Sequence, residues 1–187
     1  TWRFIKQWLD NDPSLASIYE MKSKEIQQTF QINEARAKAI YEDLNTFHTN
    51  DIVNELINDK IVPLTYFDEA YPPLLKEIYD PPWVLYCKGN ISLLHSEKML
   101  AIVGTRTPTA YSRQCLEAFI PPLVKENFTI VSGLALGVDS LAHQITIRSK
   151  GKTIGVLGSG FCHMYPSKNI SLFEHMAKEH CIITEYP

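Results

Sequence analysis

The chain has 187 residues, 45% of them hydrophobic, and a formal net charge of −3. This length and composition are typical of a globular protein with one sizeable core and room for a small second domain. No apolar run reaches the about 20 residues of a membrane-spanning helix and the first residues lack the layout of a secretory signal, so we expect no membrane partner.

Charge and cysteines narrow the class of protein further. Residues 1–100 hold 10 Lys and Arg against 15 Asp and Glu, whereas residues 101–187 hold 8 against 6. An acidic total does not exclude a nucleic-acid partner, because binding needs only a local basic patch. The four cysteines form no CxxC pair. Buried thiols in a cytoplasmic protein are expected, with a disulfide or a metal site as the alternative.

Residues 1–60 are predicted to form a small all-helical domain. Asp12 before Pro13 is a typical cap and first-turn pair for one helix. Asn33 can cap a second helix, and Asp51 or the residue before it can open a third. Apolar side chains recur at helical spacing in these segments: Leu15, Ile18, Tyr19, Met21, Ala35, Ala39, Ile40, Leu44, Ile52, Val53, Leu56 and Ile57.

From residue 61 onward, short strands are predicted instead. Segments 61–65 and 83–86 are apolar, and proline pairs punctuate their connection. A strand, a glycine turn and a helix then alternate three times before a last strand. The later strands are predicted at 99–103, 129–131, 153–157 and 181–184, and the helices at 110–126, 139–149 and 169–178, with a kink or break at Pro121-Pro122. The pattern predicts an α/β fold, a Rossmann-like doubly wound parallel sheet over 61–187.

Three of these strands end in loops of small residues. Ligands of open α/β sheets collect beyond the carboxyl ends of the strands, where glycines let backbone N–H groups approach an anion. The alternative is that the glycines only make tight turns. The candidate DNA- or phosphate-binding residues in these loops are Gly104, Thr105, Arg106, Ser132, Gly133, Ala135, Gly137, Gly158, Ser159 and Gly160.

Two basic residues are candidates for phosphate contacts. The guanidinium of Arg106 can fork onto a phosphate, and Lys168, followed by the further candidate Asn169, can add a point charge. The alternative interpretation of both residues is a solvated side chain on the surface with no ligand. The hydroxyls of Thr105, Ser132 and Ser159 can donate to phosphate oxygens.

Other polar and aromatic residues near the loops have more ordinary interpretations. Asp139 is expected to cap the second long helix. His143 is expected to pack inside that helix, with phosphate binding when protonated as the alternative. Phe161 and Tyr165 are candidates for base stacking, although core packing is the favoured explanation for Tyr165.

Enzymatic and cofactor motifs are incomplete. Segment 150–153 ends like a P-loop but lacks its earlier glycine and leads into a strand. His163 occupies the position of the third glycine of a dinucleotide fingerprint, and its neighbour Cys162 is poorly spaced for shared metal ligation. We find no nucleophile with a base, so the sequence predicts a protein that is not an enzyme and holds no cofactor or metal.

An ordered set of motifs resembles the DNA-processing protein A family (DprA, also called Smf). The set begins upstream with Tyr-Pro-Pro-Leu-Leu and Asp-Pro-Pro-Trp-Val-Leu-Tyr and continues to the last residues. Its later members are Ile102-Val103-Gly104-Thr105-Arg106, Val131-Ser132-Gly133-Leu134-Ala135-Leu136-Gly137-Val138-Asp139 with Ala142-His143, the segment 151–160, Tyr165-Pro166 with Asn169, and Ile183-Thr184-Glu185-Tyr186-Pro187.

The resemblance implies a role in DNA processing. Members of that family bind and protect single-stranded DNA and help load the RecA recombinase, notably in natural transformation. By position, Arg106 and Lys168 match the family's basic residues. Residues 1–60 are similar to its helical accessory domains and weakly resemble a helix-hairpin-helix around 30–40, although Gln31 and Asn33 replace the expected glycines.

The resemblance also predicts that the chain is a fragment. The family's Rossmann-like sheet continues beyond the Glu-Tyr-Pro segment, so its C-terminal part is expected to be missing, together with the homodimer and RecA contacts of the full-length protein. The alternatives are a nucleoside-monophosphate phosphoribohydrolase-like enzyme, which would release a base, and an interaction module that binds neither DNA nor nucleotides.

Overall fold

The computed structural model describes residues 6, 8–9, 12, 16–46, 49–162 and 166–186. The chain separates into two compact units, Thr1–Glu55 and Leu56–Pro187. The helices are α1 (Ser23–Phe30), α2 (Glu34–Thr46), α3 (Thr49–Asn58), α4 (Pro73–Lys76), α5 (Ala110–Lys125), α6 (Val138–Arg148) and α7 (Ile170–Glu179). The strands are β1 (Ile61–Thr65), β2 (Val84–Gly89), β3 (Met99–Ala101), β4 (Thr129–Ser132), β5 (Lys152–Leu157) and β6 (Cys181–Thr184).

The N-terminal unit is helical around a small core of Trp8, Ile26, Phe30 and Ala37. Asn33 caps α2 as predicted, since its Oδ1 accepts from the Arg36 amide at 2.8 Å. Where a helix is predicted after Asp12, the described residues form a 3-10 turn over Ala16–Tyr19, and residues 13–15 lie outside the described residues. Helix α1 was not predicted, because only two of its eight residues, Ile26 and Phe30, are buried.

The second unit contains a six-stranded sheet in the order β1-β2-β6-β5-β4-β3. Strands β3 to β6 are parallel neighbours, which confirms the Rossmann-like α/β fold. Strand β2 pairs antiparallel with both β1 and β6, so the sheet is mixed. This arrangement places the ends of β1, β3, β4, β5 and β6 and the beginning of β2 at one edge, which we call the carboxyl edge.

The two faces of the sheet are covered differently. The parallel strands follow one another in chain order, and right-handed crossovers then put α5, α6 and α7 on one face. Ile130 and Ile182 pack on that face. On the other face, Ile154 packs with Leu93 and Leu94 of a 3-10 helix. In the part of the chain that the structure describes, crossover helices therefore cover one face rather than the two expected of a doubly wound sheet.

The proline pair in α5 does not break the helix. Pro121 and Pro122 lie inside a helix that continues to Lys125. Each proline lacks an amide donor. The next turn nevertheless keeps a helical hydrogen bond, since the Glu126 amide donates to the Pro122 carbonyl at 3.2 Å. Ile120, directly before the pair, is fully buried under the sheet, and this packing helps the helix to persist.

Candidate nucleic-acid site at the strand ends

A cavity of about 300 Å³ lies at the carboxyl edge of the sheet. We call it the strand-tip cavity. Its lining residues come from the loops after β3, β4 and β5 and from the segment before α7: Arg106, Gly133, Ala135, Leu136, Gly158, Ser159 and Pro166. Five of these were candidates from the sequence, whereas Leu136 and Pro166 were not. Three loops that are far apart in sequence thus share one concave site.

Arg106 supplies the positive charge of this cavity. Its side chain is exposed and forms no salt bridge with any residue in the described ranges. A guanidinium keeps its charge at all physiological pH values and presents a planar fork of donors that fits phosphate oxygens. Arg106 is therefore free to bind an anion that enters the cavity.

The loop after β4 presents backbone donors to the same space. The N–H groups of Ala135 and Leu136 have no hydrogen-bond acceptor within the described part of the chain. Asn169 fixes this loop, because its Nδ2 donates to the carbonyls of Leu134 at 2.8 Å and Ala135 at 3.2 Å. Asn169 is buried and does not line the cavity, so its direct role is to position the loop.

Leu134 holds the loop in a tight conformation. Its φ of 55° lies in the left-handed region, which costs free energy for a residue with a branched side chain. The side chain is only 3% exposed and packs with Met176 and Ile182. Burial of this side chain offsets the backbone strain and aims the next two residues at the cavity.

Gly137 joins the loop after β4 to the loop after β3. Its φ of 86° favours glycine, and a Cβ there would collide with the backbone of Thr105 and Arg106. The Val138 amide donates to the Thr105 carbonyl at 3.1 Å across the same contact. Gly137 therefore serves close backbone packing, and this packing holds Arg106 beside the second loop.

Asp139 does not cap α6 as predicted. The N-cap is Gly137, and Asp139 lies in the first turn, where a carboxylate is favourable to the helix dipole. A Cβ at Gly133 would stand 2.7 Å from Asp139 Oδ2, so the lack of a side chain at Gly133 makes room for that carboxylate. Asp139 is 8% exposed and is not a cavity-lining residue.

The hydroxyls of Ser132 and Thr105 take part in hydrogen bonds within the protein. The Ser132 hydroxyl is buried and donates to the Ile102 carbonyl at 2.6 Å, which removes its proton from use by a phosphate. The Thr105 hydroxyl accepts from the Thr107 amide at 3.2 Å and does not line the cavity. Ser159 does line it. The Ser132 proton is thus already used within the folded loops, whereas acceptance from an amide leaves the Thr105 hydroxyl its own proton.

Gly158 has a different environment from the other loop glycines. A Cβ built on it would meet no atom within 4 Å. Gly158 also lines the strand-tip cavity, so a ligand there can approach its backbone without meeting a side chain. By contrast, a Cβ on Gly104 would stand 2.7 Å from the Val138 side chain, so Gly104 serves packing.

The remaining candidates lie near the cavity without lining it. Lys168 is exposed in the 3-10 helix Ser167–Asn169, and Gly160 follows the third loop. Phe161 is buried and packs edge-on against Phe173 at 6.2 Å between ring centroids, so it is a core residue rather than a stacking platform. His163 and Tyr165 lie outside the described residues.

His143 is a packing residue, as expected. It is fully buried, and its Nδ1 lies 2.7 Å from Thr153 Oγ1. Because the Thr153 hydroxyl donates to the Ile130 carbonyl, Nδ1 must carry the proton of the neutral ring. Burial lowers the pKa of His143 to about 4, so the ring is neutral at physiological pH and out of reach of a phosphate.

Metal and membrane features are lacking in the described ranges. No group of three or more His, Cys, Asp or Glu residues there could hold a metal ion. All four cysteines are free, and burial raises the pKa of Cys87 and Cys181 to about 12. No helix among these residues has the length and apolar character needed to cross a bilayer.

Comparison with known sequences identifies the relatives of this arrangement. The family model described as DNA recombination-mediator protein A matches residues 63–187. DNA processing protein DprA of Bacillus subtilis is 36% identical over 98% of this chain and 61% of its own length. Protein Smf of Synechocystis is 46% identical over 66% of this chain and 32% of its own length. The chain thus spans less than two thirds of the length of each of these relatives.

Solved structures show the same likeness. The X-ray structure of DNA processing protein A from Streptococcus pneumoniae superposes with a TM-score of 0.79 at 31% identity, covering 98% of this chain and 61% of that one. DNA processing protein A from Helicobacter pylori, described for its single-stranded DNA binding mode, gives a TM-score of 0.58 at 34% identity over 68% of this chain and 56% of that one.

Proposed function

Because the chain belongs to the DNA recombination-mediator protein A family, we propose that it processes DNA by binding single strands at the strand-tip cavity. The observation that carries the proposal is the convergence of an unpaired Arg106 and the free amides of Ala135 and Leu136 on one concave site. This is a donor set for phosphate oxygens.

The donor set favours a nucleic-acid backbone over a particular base sequence. Phosphate contacts fix register and affinity but carry no sequence information. We therefore expect binding with little sequence preference and with a strong dependence on salt, since cations released from the strand supply much of the free energy.

Replacement of Arg106 tests this function. We expect Arg106→Ala to weaken binding of an oligothymidylate about 10- to 100-fold, because a charge-assisted hydrogen bond contributes roughly 1.5–3 kcal/mol. The plot of log affinity against log salt should also become shallower by about 0.7, the loss of one phosphate contact on a single strand. Fluorescence anisotropy at several salt concentrations measures both quantities.

Arg148→Ala is the matched control. Arg148 ends α6 at the opposite edge of the sheet, where it pairs with Glu117 at 3.5 Å. Its loss should leave affinity and salt slope near those of the parent chain. Equal effects of the two arginine replacements would show that the strand does not bind at the strand-tip cavity.

The finer role in recombination is also a proposal. We infer that the protein protects incoming single strands and loads RecA on them in the cytoplasm, acting as a homodimer in its full-length form and not as an enzyme. RecA filament assembly on strands coated with single-strand-binding protein measures loading, and sedimentation of the full-length protein measures its oligomeric state. Release of a base from nucleoside monophosphates would instead support the phosphoribohydrolase alternative.

A further inference from the structure

A cluster of aromatic rings lies beside β1 and β2 in the second unit. Tyr66 and Phe67 follow β1, and Trp83 directly precedes β2. The centroid of the Trp83 ring lies 6.0 Å from that of Phe67 and 6.1 Å from that of Tyr66. Tyr71 joins the cluster at 5.8 Å from Tyr66. We call Tyr66, Phe67, Tyr71 and Trp83 the aromatic cluster.

The topology puts the aromatic cluster on the carboxyl edge with the strand-tip cavity. Thr65 at the end of β1 pairs with Val84 at the beginning of β2, and Tyr86 of β2 pairs with Thr184 at the end of β6. Tyr186 follows β6, and Phe67 follows β1. These strands lie three and five positions from β3, the strand before Arg106, or about 14 and about 24 Å at the usual strand spacing. A nucleic-acid strand of a few nucleotides spans these separations.

Hydrogen bonds connect the strand-tip cavity with the end of β6 along this edge. The Thr184 hydroxyl donates to the carbonyl of Ser159, a cavity residue, at 2.9 Å. The same hydroxyl oxygen accepts from the Tyr186 amide at 3.2 Å. Ser159 of the cavity is thus joined through Thr184 to the segment that carries Tyr186.

Two aromatic side chains at this edge are open to solvent, and we call them the aromatic surface. Phe67 of the aromatic cluster and Tyr186, which follows β6, are each 58% exposed. The Tyr71 hydroxyl, in contrast, donates to the Pro82 carbonyl at 2.8 Å and anchors the cluster from below. An exposed ring with a fixed underside is a platform on which any base can stack, because every base has a π face.

The aromatic surface and the strand-tip cavity differ in the sign of the charges around them. Lys76 lies 5.2 Å from the Tyr66 ring centroid, but the chain segments that carry these rings hold more acidic residues, the exposed Asp68, Glu69, Glu77, Asp80 and Glu185. Carboxylates repel phosphates and accept hydrogen bonds from the amino groups of bases. The aromatic surface therefore suits the base side of a strand, whereas Arg106 suits the phosphate side.

We propose that Phe67 and Tyr186 form a base-stacking surface for the single strand whose phosphates bind at Arg106. The proposal rests on the proposed function and adds to it a second contact region, about 14 to 24 Å from Arg106 along the same edge by the spacing of strands. According to this proposal, the protein recognises the bases of the strand as well as its phosphates. Stacking on one such ring contributes roughly 1–3 kcal/mol per base.

The test compares two probes: an oligothymidylate and an oligonucleotide of equal length and charge whose sugars carry no bases. The parent chain should bind the thymidine strand at least fivefold more tightly. Phe67→Ala should lose roughly 5- to 100-fold in affinity for the thymidine strand and change little toward the abasic strand. Tyr186→Ala should do the same, and Phe67→Trp should restore discrimination between the strands.

Phe119→Ala is the matched control, since Phe119 is 66% exposed on α5 and away from the carboxyl edge. Equal binding of both probes by the parent chain, with Phe67→Ala unchanged and Arg106→Ala weakened, would overturn the stacking surface and leave the proposed function intact. The stacking surface would also be contradicted if Phe67→Ala bound both DNA strands like the parent chain but no longer bound a protein that the parent chain binds. Unchanged binding of both strands in Arg106→Ala would contradict the proposed function itself.

Discussion

At the residue scale, the glycines of the three loops divide into two groups. Gly133 and Gly137 are required because a side chain would collide with Asp139 or with the backbone beside Thr105. Gly158 meets no neighbour and leaves room in the strand-tip cavity. The motif in the sequence shows all of these glycines alike, because crowding by distant residues is not visible in a local pattern.

The open surroundings of Gly158 give a clean test of the cavity. Gly158→Ala should leave the melting temperature nearly unchanged, since its Cβ meets nothing within 4 Å. It should still weaken binding of an oligothymidylate about tenfold, roughly 1.4 kcal/mol, because the methyl group occupies space where the strand approaches the backbone. Gly133→Ala should instead lower the melting temperature. Parent-like affinity in Gly158→Ala would argue that no ligand contacts this loop.

Residue roles were harder to predict than residue positions. Arg106 could be assigned to the edge of the sheet from the sequence, because strand order hardly matters for a residue directly after a strand. The hydrogen-bond partners of Ser132 and Asn169 could not be predicted, since each is a carbonyl that only the folded loops bring near. A polar side chain in a glycine-containing loop can hydrogen-bond to several groups, and the sequence does not show which of them the fold brings near.

At the element scale, α6 packs on the sheet through a neutral histidine. His143 hydrogen-bonds to Thr153 of β5, and burial lowers its pKa to about 4. The ring of an unfolded histidine has a pKa of about 6.5, so the unfolded chain binds more protons between these values. Stability is therefore complete above about pH 6.5 and falls as the pH drops toward 4.

This linkage predicts acid sensitivity of unfolding. The free energy of unfolding should fall by up to about 3 kcal/mol between pH 7 and pH 4, the equivalent of the pKa shift of His143. His143→Gln should remove most of this slope and leave the part due to His180, whose pKa burial also lowers. Denaturant titrations at several pH values measure it, with the exposed His95→Gln as control. A parent-like slope in His143→Gln would contradict the assignment.

Element prediction succeeded where apolar runs and caps are strong. The parallel strands and the helices between them were predicted within a few residues, and the cap at Asn33 is present. Helix α1 was missed because its sequence is mostly polar. It ends at Gln31, which has a φ of 50° and so occupies the left-handed position that a glycine favours. Gln31 thus adopts the left-handed conformation of a helix C-cap although it is not a glycine.

At the scale of the whole molecule, the sheet order brings distant segments to one edge. Apolar strands do not encode their direction, so the antiparallel placement of β2 could not be predicted. That placement carries Trp83 and the end of β1 to the carboxyl edge, beside loops that follow them by up to a hundred residues. The combination of a phosphate cavity and an aromatic surface depends on it.

The central claim is that single-stranded DNA binds along the carboxyl edge through the strand-tip cavity. NMR titration of the ¹⁵N-labelled chain with an oligothymidylate tests it directly, because each backbone amide reports its own surroundings. The account predicts the largest shifts at Ala135, Leu136 and Gly158, with smaller ones at Phe67 and Tyr186. Shifts concentrated at Arg148 and Lys178, which end α6 and α7 at the opposite edge, would contradict it.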